Sequence, residues 1–198
     1  MKSQIVVLNE MYQQLSAIHA MEEKAWEDFQ QIWVPVSYKR KEVVTAAGEV
    51  ERYLYWVVDG IQRGFHLHEQ KEATIVFTYP GSFSGIIDSF LLQQPSRYFL
   101  ETLSSSVFLR ASFQQVEQCR KKHPSIAELM YKALAFTTKG ILERQIELMV
   151  YTAEEKFRTL LKRSPHILNL VPHKYLASYL GIDATTFSKL LGTVRLDS

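Results

Sequence analysis

Cys119 is the only cysteine in the 198-residue chain. A lone thiol excludes an intramolecular disulfide framework, and any cluster or zinc site built from several thiolates of one chain. A reducing, cytoplasmic setting is expected. No apolar run is long enough to span a bilayer. The N-terminus, MKSQIVVLNEMYQQL, has a short apolar patch broken by Asn9 and Glu10 and no small-residue cleavage site, so no signal peptide is expected. Neither sign of charge dominates. The net charge of +2 is too small to announce a nucleic-acid binder. Nucleophile elbow, phosphate-binding glycine loop and zinc-thiolate spacing are all missing. Neither an enzyme nor a cofactor is therefore expected.

The most informative segment is VPHKYLASYLGIDATTFSKLL, residues 171–191. Leu176, Ala177 and Leu180 give a first helix an apolar face. Gly181 permits the positive φ that ends a helix sharply. Asp183 offers an acceptor to the free amides of a second helix. Ile182, Phe187, Leu190 and Leu191 are expected to bury that helix, leaving Ala184, Thr185, Ser188 and Lys189 outside. Such a pattern fits a helix-turn-helix, whose second helix enters the DNA major groove. It also fits an ordinary αα-hairpin. From Thr152 onward there are seven basic residues (Lys156, Arg158, Lys162, Arg163, Lys174, Lys189, Arg195) against four acidic ones; the remainder holds 16 against 17. The small basic excess lies where phosphate contacts would want it.

Elsewhere the periodicity divides the chain. Residues 3 to about 32 read as helical, with Ile5, Leu8, Tyr12, Leu15, Ile18, Trp26 and Phe29 at helical spacing. Val36 to Ser112 is rich in Val, Ile, Phe, Tyr and Thr, and is cut by turn signals at Ala47-Gly48, Asp59-Gly60, Pro80-Gly81 and Gln94-Pro95. These short runs predict a barrel or sandwich. Tyr53–Val58 is the strongest strand, and Asp59-Gly60 after it signals a hairpin. Phe113–Lys122 reads as a short helix. A long one, Pro124–Val150, carries too many apolar residues for one narrow stripe and should pack against two things, its own β domain and a second subunit. Gly140 within it suggests a kink or a close helix crossing. Thr152 with Glu155 predicts a capping box for a further helix to Arg163. The fold class is α+β, with domains 1–123, 124–151 and 152–198.

Together these pieces resemble the Crp/Fnr transcription regulators, and most closely the short members common in Bacteroidetes. The resemblance is carried by Ser37–Glu42, Ala47-Gly48-Glu49, Tyr53–Arg63, Gly81-Ser82-Phe83, Ser89-Phe90-Leu91, Pro95-Ser96 and Leu176–Ile182. It implies a cyclic-nucleotide-binding-type jelly roll with flanking helices, a central dimerising helix and a C-terminal DNA-binding domain. It also implies a homodimer on double-stranded DNA, a small-molecule effector, RNA polymerase as a further partner and no membrane. The DNA-facing residues it implies are Lys174, Asp183, Ala184, Thr185, Thr186, Ser188, Lys189 and Arg195. Base reading falls to Ala184, Thr185 and Lys189, and the phosphates suit Thr186 and Ser188. The effector pocket would involve Ser84, Gly85, Ile86, Ser96 and Arg97.

The pocket departs from the family pattern. A Gly-Glu pair for ribose and an Arg for phosphate characterise cyclic-nucleotide binders of this kind. Here Ile86 follows Gly85, and an ungapped reading back from Leu103 puts Pro95 where the Arg belongs, with Arg97 two residues on. No response to cyclic AMP is expected. An iron–sulfur cluster is excluded by the single cysteine. Two rival readings remain. One is a sensing or interaction module that has lost DNA binding, in keeping with the sparse charge of the second helix. The other is a cupin-like metal site at His66, His68 and Glu72, which lacks the later histidine a cupin needs.

Overall fold

A computed structural model describes residues 3–194 of the protein. Packing divides the chain into two compact units, Met1–Gly64 with Phe77–Thr137, and Phe65–Val76 with Thr138–Ser198. The first opens with two helices, α1 (Gln4–Ile18) and α2 (Glu23–Gln31), where sequence periodicity predicts one helical stretch. The chain breaks at His19, whose extended backbone caps α1 by donating from its N–H to the Leu15 carbonyl. Eight strands follow: β1 (Val34–Tyr38), β2 (Val43–Thr45), β3 (Tyr53–Asp59), β4 (Gln62–His68), β5 (Lys71–Thr78), β6 (Phe83–Ser84), β7 (Phe99–Thr102) and β8 (Ser106–Ser112). They form two four-stranded sheets, ordered β1-β8-β3-β6 and β2-β7-β4-β5. This is a jelly roll, and the fold is α+β.

Strand β3 explains how the roll is filled. Side chains alternate across a strand, and β3 is buried on both faces. Tyr55 and Val57 pack with Phe108 inside the roll. Leu54 and Trp56 face the other way, into the core made by α1, α2 and the helices that follow the roll. The aromatic run is thus packing for two cores.

Asp59-Gly60 does form a turn, with Gly60 at φ 88°. A Cβ there would lie 2.5 Å from the Ser105 carbonyl oxygen, so only glycine fits. The turn is not a hairpin, however, because β3 and β4 belong to different sheets. The tight hairpin is the next one, where Glu69-Gln70 joins β4 to β5 and Glu69 takes φ 55°. Two further short helices went unpredicted, α3 (Ile87–Leu92) and, later in the chain, α7 (Ile167–Leu170).

Helix α4 (Phe113–Lys122) starts with a capping box between Ser112 and Gln115. Its end is tied to α2. Asp28 accepts from Lys122 Nζ at 2.6 Å and sits 2.9 Å from His123 Nε2, and these partners hold its carboxyl far below the ordinary range. Helix α5 (Pro124–Val150) begins in this core with Ile126 and Leu129 fully buried. It runs without interruption through Gly140. A Cβ at Gly140 would meet no atom within 4 Å, so no described helix of this chain crosses there.

Glu51 is a buried acid of the roll whose titration is linked to folding. It is 2 % exposed. Its carboxylate accepts from Thr45 Oγ1 at 2.6 Å, the Tyr53 amide at 3.1 Å and the Ile86 amide at 3.3 Å. Burial outweighs these bonds and pushes its carboxyl above the usual glutamate range. The folded state therefore holds the proton to higher pH than the unfolded chain. The contribution of Glu51 to stability should fall as pH rises from about 4.3, the free glutamate value, through the folded value. Thermal melts of the wild type and Glu51→Gln between pH 4 and 7 should show the wild type losing ground to the variant across that window. A constant difference would contradict this.

Candidate functional site

The second unit contains α6 (Ala153–Arg163), α7, α8 (His173–Leu180) and α9 (Ala184–Thr193). Thr152 Oγ1 accepts from the Glu155 amide at 3.3 Å, and Glu155 accepts from the Thr152 amide at 2.8 Å, completing the predicted capping box. Phe157, Leu160, Leu161, Leu176, Leu180 and Phe187 form the core, with the Phe157 and Phe187 rings edge to face at 5.4 Å. Burying each such side chain stabilises by roughly 1.5–3 kcal/mol.

The turn between α8 and α9 has the geometry its sequence requires. Gly181 is left-handed at φ 64°, and its N–H donates to the Ser178 carbonyl while that of Ile182 donates to Ala177, the Schellman arrangement. Asp183 Oδ1 then accepts from the Thr186 amide at 2.8 Å and Oδ2 from the Thr186 hydroxyl at 2.6 Å. These bonds hold the Asp183 carboxyl below its ordinary range, keeping it ionised as the cap of α9.

Ala184, Thr185, Ser188 and Lys189 form the open outer face of α9. Two of the expected phosphate donors are already engaged: Thr186 donates to Asp183, and Ser188 donates to the Ala184 carbonyl at 2.9 Å. Leu191 lies on the exposed side, 38 % exposed, rather than in the core where its spacing predicts it. Lys174 is exposed on α8, its ammonium 4.7 Å from the Tyr175 ring centre. Arg195 lies outside the described residues.

Sequence reasoning missed a polar anchor on α5. The Arg144 guanidinium stacks on the Tyr179 ring at 4.1 Å, donates to the Tyr179 carbonyl and pairs with Glu147 at 3.0 Å. Glu147, itself buried, also pairs with Arg163. The Tyr179 carbonyl, one of the last in α8 and without a helical partner, is thereby held by a side chain of α5. The signal was two charged residues three apart on a helix otherwise counted for its apolar residues.

The expected effector residues lie in the roll, and each has a local role. Gly85 takes φ 120°. The Ile86 amide donates to the Glu51 carboxylate at 3.3 Å. Ser84 Oγ lies 3.0 Å from Thr78 Oγ1. Ser96 Oγ both donates to the Tyr98 carbonyl and accepts from its amide, at 2.8 Å each. Arg97 is exposed. The buried cation of the roll is instead Arg63, whose Nε pairs with Glu101 at 2.8 Å. A separate apolar cleft of about 390 Å³ lies on the helix side of β3, lined by residues such as Leu54, Phe83, Phe90, Phe113, Met130 and Leu134.

The cupin-like residues sit at the far end of the β4–β5 hairpin, where His68 and Glu72 are exposed. Among the described residues no three His, Cys, Asp or Glu side chains gather in a geometry that could hold a metal. Among the same residues no helix is long and apolar enough to cross a membrane.

Residues 35–123 match the family model of the cyclic nucleotide-binding domain. No curated protein sequence matches. Among solved structures the chain is similar to FixK2 from Bradyrhizobium japonicum, at 18% identity and TM-score 0.74 over 84% of this chain and 89% of that one. It is also similar to the Thermus thermophilus catabolite activator protein, at 19% identity and TM-score 0.57 over 91% and 90% of the two chains. A Eubacterium rectale protein described as a Crp/Fnr-family transcriptional regulator matches at 11% identity and TM-score 0.69, over 87% and 82%. At these identities the likeness is one of fold.

Replacing Arg144 by methionine keeps the stem's packing but strips the Tyr179 carbonyl and Glu147 of a charged donor. Loss of a charge-assisted bond of this kind costs about 1–3 kcal/mol. Urea unfolding should report a loss of that size; an unchanged midpoint would contradict the anchor.

Proposed function

We propose that this chain, which has the Crp/Fnr regulator fold with a cyclic nucleotide-binding-type domain over residues 35–123, is a DNA-binding transcriptional regulator of the bacterial cytoplasm. The observation that carries this reading is the outer face of α9, small, polar and open, on a helix fixed by the Gly181 turn and the Asp183 cap. The DNA-binding domain is residues 152–198, the sensor is 1–123, and 124–151 joins two copies.

Dimerisation is supported by α5. Tyr131, Leu134 and Ile141 follow at three- and seven-residue steps and Leu142 and Met149 lie seven apart, all on one face, and Tyr131 and Met149 are 68 % and 76 % exposed. Large apolar side chains in such a row are the seam of a helix pair. Two copies of α9 would then meet successive turns of a duplex, as two-fold regulators do. RNA polymerase is the further partner this fold suggests.

The face of α9 sets what can be read. Ala184 and the Thr185 methyl suit thymine methyl groups, Thr185 adds one hydrogen bond, and Lys189 reaches guanine. Lys174 and Arg195 serve the phosphate backbone, while first-turn amides of α9 are held by Asp183. Asp183 contributes as the cap that orients those amides, and Thr186 and Ser188 contribute lone pairs rather than protons. The site is therefore tolerant of A·T pairs.

On duplexes selected from a random pool, Lys189→Ala should weaken binding by about 1–3 kcal/mol and relax the preference at one base position. Lys174→Ala should weaken all sequences alike and reduce the salt slope by about one. Absence of wild-type binding at low salt would favour the sensing module without DNA. The effector is not a cyclic nucleotide, because Glu51 holds the Ile86 amide and Arg97 is exposed. Titration calorimetry with cyclic AMP and cyclic GMP should show no heat at micromolar concentration, and binding in that range would overturn this part of the reading.

A further inference from the structure

We infer that Ser178 is a positioning residue for the reading helix, closing a joint between α8 and the open edge of β5; this rests on the DNA-reading function proposed above. Strand β5 is the last in its sheet, so one side of its backbone faces no further strand. A serine hydroxyl is one donor and two acceptors. Ser178 Oγ accepts from the Thr74 amide at 2.9 Å and donates to the Glu72 carbonyl at 2.9 Å. It satisfies the two groups flanking Ala73 that a further strand would otherwise take.

The hairpin end thus belongs to the helical unit. Residues Phe65–Val76 pack with Thr138–Ser198, although β4 begins outside that group. The neighbouring residue, Tyr179, is gripped by Arg144 from α5. Helix α8 is consequently fixed at consecutive residues from two elements, and Gly181 and Asp183 pass its orientation to α9 within five residues. The joint also carries an opposing feature. Thr74 Oγ1 is buried with no hydrogen-bond partner, so closure desolvates a hydroxyl that opening returns to water. The joint thus ties the end of the β4–β5 hairpin to the orientation of α9.

Hydrogen exchange of the full chain tests the joint without DNA. Ser178→Ala should speed amide exchange over residues 72–76 and 173–180 at least tenfold and leave β3 and β8 unchanged. Ser178→Thr, which keeps the hydroxyl, should restore wild-type rates, and Thr74→Val should slow them. Equal exchange in the wild type and Ser178→Ala overturns the joint. In DNA binding, Ser178→Ala should lose at least fivefold in affinity with an unchanged salt slope, because no phosphate contact is removed. If the wild type binds DNA and Ser178→Ala binds equally well, the positioning role is overturned while the reading of function stands. If the wild type binds no duplex, that reading and the positioning role both fall, and the exchange data still decide whether the joint exists.

Discussion

Helix α5 is the element on which both units depend. Its first turns bury Ile126 and Leu129 in the core beneath the roll. Its last turns supply Arg144 and Glu147, the polar pair that holds the end of α8, and Leu148, 3.3 Å from where a Cβ on Gly181 would sit. Between them runs the exposed apolar row from Tyr131 to Met149. One helix thus has three kinds of surface, which explains why its apolar residues exceed a single stripe.

The polar interior of the roll is held by its own side chains. Its turn at Gly85 keeps the left-handed geometry, yet the adjacent amide is satisfied by Glu51 from the same chain. Burying a carboxylate is costly unless it is well bonded, and the three bonds to Glu51 tie it to the chain segments around β2, β3 and α3. The cation of the interior is supplied by β4 at Arg63, paired with Glu101 on β7, rather than by the segment around Arg97. The apolar cleft on the other side of β3 is made by different residues altogether.

What the sequence makes legible is local. Gly181, Asp183 and the spacing of Leu176, Leu180 and Phe187 act within one or two turns of chain, and the helix-turn-helix follows from them. The Thr152–Glu155 capping box is legible for the same reason. Asp59-Gly60 is legible as a turn but not as a crossing between sheets, because turn chemistry sets backbone angles and not strand partners. Ser178 gives no warning of its role, since its partners lie 104 and 106 residues away. Glu51 gives no warning either: its burial depends on the Ile86 amide, 35 residues away, as well as on nearby Thr45. Leu191 errs in the other direction. It continues the apolar spacing of α9, but the last turn of that helix runs past the core centred on Phe187.

The central claim is that α9 is presented outward twice per assembly and meets double-stranded DNA at two adjacent turns. Hydroxyl-radical footprinting on a duplex selected by the protein measures this directly. The account predicts two protected patches about 10–10.5 base pairs apart, centred on a two-fold axis. A single patch, or no protection of any selected duplex at low salt, would contradict it.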